Sequence, residues 1–370
     1  MTPPITLSIY IAREFTGSVI GMLLALSGLV GMFDFIELLR RSTSHPEATF
    51  GLVSEMALLR QPYIAMQILP FAVLLGGILS FWRLTRSSEL IVARAAGISA
   101  WEFLAAPTLC AFLLGTLATA VVSPVSSVMF SRAEAMDNTY LKAGAGPLAL
   151  AGDQLWLRQS DHGLSPQGVA IIHAHGVELH GKQLSANDVS VFRLDGRDRL
   201  LTRIEASHAT LSGGAWQMQN ARSIRPEEMP GPPAAMNLPT DLTVGRVQES
   251  FASPDTLSFW ALPDFIRLLD RSGFSSIRHR LHFQTLLALP ILAATMALVS
   301  AGFSMRPARR GGVAQMIGSG VAAGFVLFVI SKVAEEFGQS GALPVALAAW
   351  VPTASGLMMA IALLLHTEDG

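Results

Sequence analysis

Residues 15–33 read FTGSVIGMLLALSGLVGMF, nineteen positions without an aspartate, glutamate, lysine or arginine. A helix of about 20 apolar residues crosses the roughly 30 Å hydrocarbon core of a bilayer, so the stretch predicts a transmembrane span. Five more uncharged windows follow, at 61–82, 103–131, 281–303, 311–331 and 337–366. The whole chain of 370 residues is 51% apolar and only 14% charged, with a mean hydropathy of +0.45. Soluble domains carry about 25% charged residues. The pattern predicts a polytopic α-helical membrane protein with six transmembrane helices. The first window is too long for a signal-peptide core, and no small-x-small cleavage site follows it before Asp34, so it reads as a retained helix.

The same arithmetic excludes other classes. A net charge of −1 gives no basic footprint for nucleic acid. The single cysteine, Cys110, lies inside the third window, which leaves neither a disulfide framework nor a thiolate metal cluster. The sequence lacks both GxxxxGK[ST] and HExxH, so it offers no nucleotide-binding loop and no zincin site. No cofactor is implied.

Between the third and fourth windows the pattern changes from long apolar runs to short alternation. Residues 154–158, 189–194 and 201–204 suit half-buried strands. The run 203–223 alternates on both sides of Gly213-Gly214, which predicts a hairpin; GVELHGKQL predicts a second, turning near Gly181-Lys182. Five prolines at 226–239 read as a loop or a sheet edge. A helical return over 258–269 leads back to the membrane. The expected organisation is therefore 1–131 for spans one to three, with a short cytoplasmic helix near 87–97. An inserted all-β domain follows at 132–257, and a connecting helix with spans four to six at 258–370.

Orientation follows from arginine and lysine in the short loops, because long domains translocate regardless of charge. With the N-terminus inside, Arg13, Arg83, Arg86, Arg94, Arg306, Arg309 and Arg310 face the cytoplasm, against Arg40, Arg41, Arg60 and Lys332 outside. Both termini are expected on the cytoplasmic side and the β insert on the far side of an inner membrane.

Four features bear on function. At the outer end of the first span, DFIELLRR (34–41) places Glu37 within an i+4 step of Arg41. Two readings fit: arginines that snorkel and pair with Glu37, or Arg40, Arg41 and Arg60 holding a phosphorylated lipid headgroup by bidentate contacts. After the second span, SSELIVARAAGIS (87–99) carries helix start and stop signals around an exposed apolar strip, with Glu89 at the positive end of the helix. It docks either on its own spans or on a soluble partner that meets Glu89 and Arg94. Gly17-xxx-Gly21 and Gly320-xxx-Gly324 allow close helix approach, within one chain or between chains. Finally, His173, His175 and His180 lie on a strand where the first two share a face, a pattern open to metal but more ordinary as solvated histidines. At the end of the fifth span, Lys332 is expected to pair with Glu336 at i+4.

These segments together resemble the lipopolysaccharide export permeases LptF and LptG. The loop SSELIVARAAGIS carries the resemblance most specifically. The strands RIEASHATLSGGAWQMQNARSI (203–224), the return TLSFWALPDFIRLLDRSGFSSIRHRLHFQTLLALP (256–290) and LPVALAAWVP (343–352) extend it over the chain. The end of the first span, FIELLRR, is closer to the LptG branch, although arginines stand where the family often carries lysine. The resemblance implies a non-catalytic half-transporter whose periplasmic β insert is jellyroll-like. It would pair with an LptF-like homologous permease and a dimer of the cytoplasmic ATPase LptB. It would extract lipopolysaccharide from the inner membrane and pass it to LptC and a periplasmic bridge. Residues Glu89, Leu90, Arg94 and Gly97 would form the ATPase-coupling helix, and Arg40, Arg41, Glu37 and Arg60 the lipid contacts. Gly17, Gly21, Gly320 and Gly324 would pack helices at a lateral gate. Two alternatives stand beside it: the LptF-like subunit of the same exporter, or a non-transporting protein that passes mechanical strokes from a cytoplasmic ATPase.

Overall fold

The computed structural model describes residues 5–45, 48–87, 89, 100–141, 154–161, 168–180, 183–195, 199–212, 214–225, 228–240, 253–271, 275–304 and 313–368. Six helices among them are long and apolar enough to cross a membrane, as the six uncharged windows predict. They comprise α1 (Ile5–Ser42), α2 (Phe50–Arg86), a third span begun by α3 (Ala100–Leu117), α6 (Ile277–Ser304), α7 (Val313–Gln339) and α8 (Val345–Glu368). The third span widens into a π turn at Ala118–Val122, continues as α4 (Ser123–Met136) and ends in a second π turn, Asp137–Leu141. Between it and α6 stand six strands and the short α5 (Leu262–Arg271). The chain divides into two compact units, Met1–Ala133 with Asp255–Leu262 and Ile277–Gly370, and Glu134–Pro254 with Pro263–Ser276.

In the helical unit α2 and α6 form the centre. Buried residues make up 61% of the most apolar stretch of each, against 17% in α1 and 22% in α7. The outer faces of α1 and α7 therefore present apolar side chains such as Leu24, Phe33, Phe325 and Val329. Between helices in lipid, close packing rather than transfer from water supplies the attraction. The contacts are accordingly tight. Phe15, Phe81 and Phe103 form a chain of rings 5.9 and 6.2 Å apart at the core of this unit. A Cβ on Gly76 of α2 would fall 2.7 Å from the Val19 Cα of α1, and one on Gly115 of α3 would fall 2.6 Å from the Pro290 Cα of α6. Backbone meets backbone at both places, so no larger residue fits without parting the helices.

The β unit is one antiparallel six-stranded sheet whose order follows the chain, β1 (Gln154–Ser160), β2 (Val169–His180), β3 (Gln183–Leu194), β4 (Leu200–Ser212), β5 (Ala215–Ile224) and β6 (Ala234–Pro239). Both expected hairpins are present. Ser212 pairs Ala215 across the two glycines, with Gly214 at φ +77°, and His180 pairs Gln183. The proline-rich run closes on β6, an edge strand, where a missing backbone donor costs least. One face of the sheet buries Ile172, Val191, Ile204, Leu211, Trp216 and Leu238. Asp161, 3% exposed, takes a two-pronged hydrogen bond from Arg193 at 2.5 and 2.9 Å.

The return helix differs from its sequence expectation. It begins at Leu262 rather than Ser258, since Pro263 suits only a first helical turn. Residues 258–261 instead form a turn in which Ser258 O accepts from the Ala261 and Leu262 amides.

Candidate functional site

The last turns of α1 place Glu37 between two arginines. Arg40 donates to it from Nε at 2.9 Å and Nη2 at 2.8 Å, while Arg41 Nε stands 3.7 Å away. The Arg40 side chain is 73% exposed, so this pair is wet and contributes little to stability. Arg60 of α2 donates to Asp34 of α1 at 3.2 Å, and here the side chains are only 16% and 24% exposed. The spacing thus identifies the Glu37 pairings; the link from Arg60 to Asp34 needs two helices and is invisible to it. Within this cluster of five side chains, three guanidinium groups stand against two carboxylates.

At the opposite end of the same helices Arg83 donates to Glu14 at 3.1 Å, and Arg86 stacks over the Trp82 ring. The Glu89 carboxylate accepts from the Tyr10 hydroxyl at 3.4 Å, which ties the first span to the start of the loop that follows the second. Leu90, Arg94 and Gly97 lie outside the described residues. Alongside the Glu14–Arg83 pair runs an open groove of about 450 Å³ lined by Gly17, Gly21, Ala25 and Leu79.

The two glycine pairs differ in what they face. A Cβ on Gly17 or Gly21 would meet open space, whereas on Gly320 it would fall 2.2 Å from Ile78 Cδ1 and on Gly324 2.8 Å from Leu74 Cδ2. Gly320 and Gly324 thus let α7 approach α2 of the same chain, and the α1 pair is uncovered. Near the end of α7, Lys332 Nζ contacts Glu335 Oε2 at 2.7 Å. The partner is thus at i+3 and not at the expected Glu336, both spacings being neighbours on a helix.

On the β unit, the face opposite the core carries a cross-strand pair of rings, Trp156 over His173 at 4.1 Å, with His175 edge-on to His173 at 4.7 Å. No group of three or more potential metal ligands occurs among the described residues. Burial first, and the neighbouring His175 second, hold His173 below the ordinary imidazole value. A depressed histidine remains neutral in the fold while the unfolded chain takes up a proton. Its contribution is therefore intact above about pH 6.5 and is lost as pH falls below that. Amide exchange in β1 and β2, corrected for intrinsic rates, is expected to quicken between pH 7 and 5.5. The acceleration should shrink in His173→Gln; an equal acceleration in that variant would assign it to other groups.

Residues 9–366 match the family described as lipopolysaccharide export system permease LptF/LptG. The chain belongs to this family. Among similar proteins is the lipopolysaccharide export system permease protein LptG of Escherichia coli (strain K12), 24% identical over 377 residues and 99% of both chains. The protein of the same name from Haemophilus influenzae (strain ATCC 51907 / DSM 11121 / KW20 / Rd) is 21% identical over 374 residues, covering 98% of this chain and 99% of its own. Six spans interrupted by an antiparallel β insert agree with the export-permease fold implied by the sequence resemblance.

Proposed function

We propose that the chain is the LptG-like permease subunit of an ATP-driven exporter that lifts lipopolysaccharide out of the inner membrane and hands it to a periplasmic bridge. The observation that carries this reading is the family match over 9–366 on a six-span chain with an inserted sheet. The LptG branch rests on the relatives that carry that name. The partners are an LptF-like permease, an LptB ATPase dimer and LptC. The termini lie in the cytoplasm and the β insert in the periplasm, as the arginine bias favours.

Physical chemistry supports each part. Exposing an acyl chain to water costs about 0.8 kcal/mol per CH₂, so extraction needs outside work and a shielded route. A sequence without a nucleotide-binding loop must receive that work from a partner. In this reading Glu89, Leu90, Arg94 and Gly97 form the surface that receives it. The cationic end formed by Arg40 and Arg41 meets the lipid phosphates, with Arg60 holding α1 and α2 together through Asp34. The outer faces of α1, with Gly17 and Gly21 uncovered, and of α7, braced on α2 through Gly320 and Gly324, are the gate walls.

Affinity purification in mild detergent is expected to recover an ATPase and a second permease with the chain. Proteoliposomes of that complex should move lipopolysaccharide to a soluble acceptor only with ATP. Nucleotide turnover by the chain alone, or a complex that binds no lipopolysaccharide, would refute the proposal.

A further inference from the structure

Two prolines leave two helix carbonyls without their usual donors. A proline removes the N–H that would bond the carbonyl four residues earlier. Pro124 does this to Ala120 and Pro290 to Leu286. Around Pro124 the third span opens into the π turn Ala118–Val122, closed by the Ser123 amide on Ala118 O. In an apolar medium such carbonyls must find another partner, and both do so outside their own helix. The Trp260 indole N–H donates to Ala120 O at 3.0 Å, and the Thr119 hydroxyl donates to Leu286 O at 3.0 Å. Ser123 adds a third link by accepting from the Phe259 amide at 3.0 Å. Phe259 stacks on Phe283 of α6 at 5.2 Å and 13°, and Asp255 lies 3.4 Å from His282.

A proline break is ordinarily where a helix bends. Here the substitute bonds run between the third span, α6 and the returning segment, so neither break can flex without losing one of them. The chain leaves the helical unit after Ala133 and first re-enters it over Asp255–Leu262. The returning stretch is fastened to the third span at this joint, through Phe259 and Trp260.

We propose that Thr119, Ser123 and Trp260 are positioning residues of the export cycle. They bind the two proline-broken spans and the return segment into one transmitting piece, so that movement of the bundle reaches the β insert instead of being absorbed at the kinks. The role rests on the export reading above.

Trp260→Phe keeps a ring but removes the donor, and Ser123→Ala removes the acceptor for the Phe259 amide. In proteoliposomes of the full complex, each is expected to leave ATP turnover within about twofold of the parent. Lipid delivered per ATP should fall about fivefold, the scale of one lost hydrogen bond. Amide exchange over 255–262 should quicken, and the double variant should lose less than the product of the singles. Undiminished delivery per ATP in Trp260→Phe, or delivery and turnover declining in parallel, would overturn the assignment. Failure of the parent complex to move lipid would instead overturn the export reading, while amide exchange over 255–262 still tests the joint.

Discussion

Glu89→Lys is expected to strip the cytoplasmic ATPase from the purified chain while the six spans still insert. The residue follows the C-terminal end of α2, outside the apolar windows, so its charge is not part of the insertion signal. A carboxylate suits the start of the helix expected over 87–97, where backbone N–H groups carry partial positive charge, and a lysine does not. Placing like charges at a docking contact costs several kcal/mol, and each 1.4 kcal/mol is a factor of ten. Recovery of the ATPase should therefore drop by more than about tenfold, measured by quantitative co-purification at constant membrane yield. Tyr10→Phe separates two roles for the carboxylate, because it removes the hydroxyl that Glu89 accepts from and leaves the charge in place. Full ATPase recovery with Tyr10→Phe and loss with Glu89→Lys locates the contact on the partner. Undiminished recovery with Glu89→Lys removes the coupling role.

Much of the architecture was legible in the sequence because its signals are local. An uncharged run of about 20 residues reports a span whatever it packs against, and Gly213-Gly214 between alternating runs reports a two-residue turn by itself. The return helix was misplaced by four residues because 258–261 obeys a tertiary demand: Phe259 and Trp260 dock on the π turn and on Phe283. Pro124 is visible in the sequence, yet its consequence is not, since the donor that replaces its missing N–H is 140 positions away from Ala120. Charge pairing shows the same divide. The pairs of Glu37 with Arg40 and Arg41 follow from helical spacing, whereas Arg60 with Asp34 and Tyr10 with Glu89 require two segments to meet. Helical spacing also pointed Lys332 to Glu336 at i+4, whereas Glu335 at i+3 is the one engaged.

Replacing Arg40 and Arg41 together by glutamate is expected to lower the sensitivity of ATP turnover to lipopolysaccharide by about tenfold in a reconstituted complex. The parent arrangement holds two guanidinium groups around one carboxylate, so a lipid phosphate that approaches Arg40 competes with Glu37 for the same N–H groups. The double reversal converts that turn into three carboxylates within i+4 of each other, which repels phosphate and leaves the helix without its local pairs. Because Arg40 is largely exposed, solvent and salt screen the interaction, and the loss stays nearer one factor of ten than several. A structural account of the same residues predicts a different companion result. If the arginines only pair with Glu37 and snorkel, Glu37→Gln weakens the helix end and does nothing for lipid. If they hold phosphate, Glu37→Gln releases Arg40 from its internal competitor and shifts half-maximal stimulation to lower lipid concentration, more strongly at low ionic strength. Titrating lipopolysaccharide against ATP turnover at two salt concentrations reads both variants. Unchanged stimulation in the double reversal, or an unshifted curve in Glu37→Gln, assigns the cluster to anchoring alone.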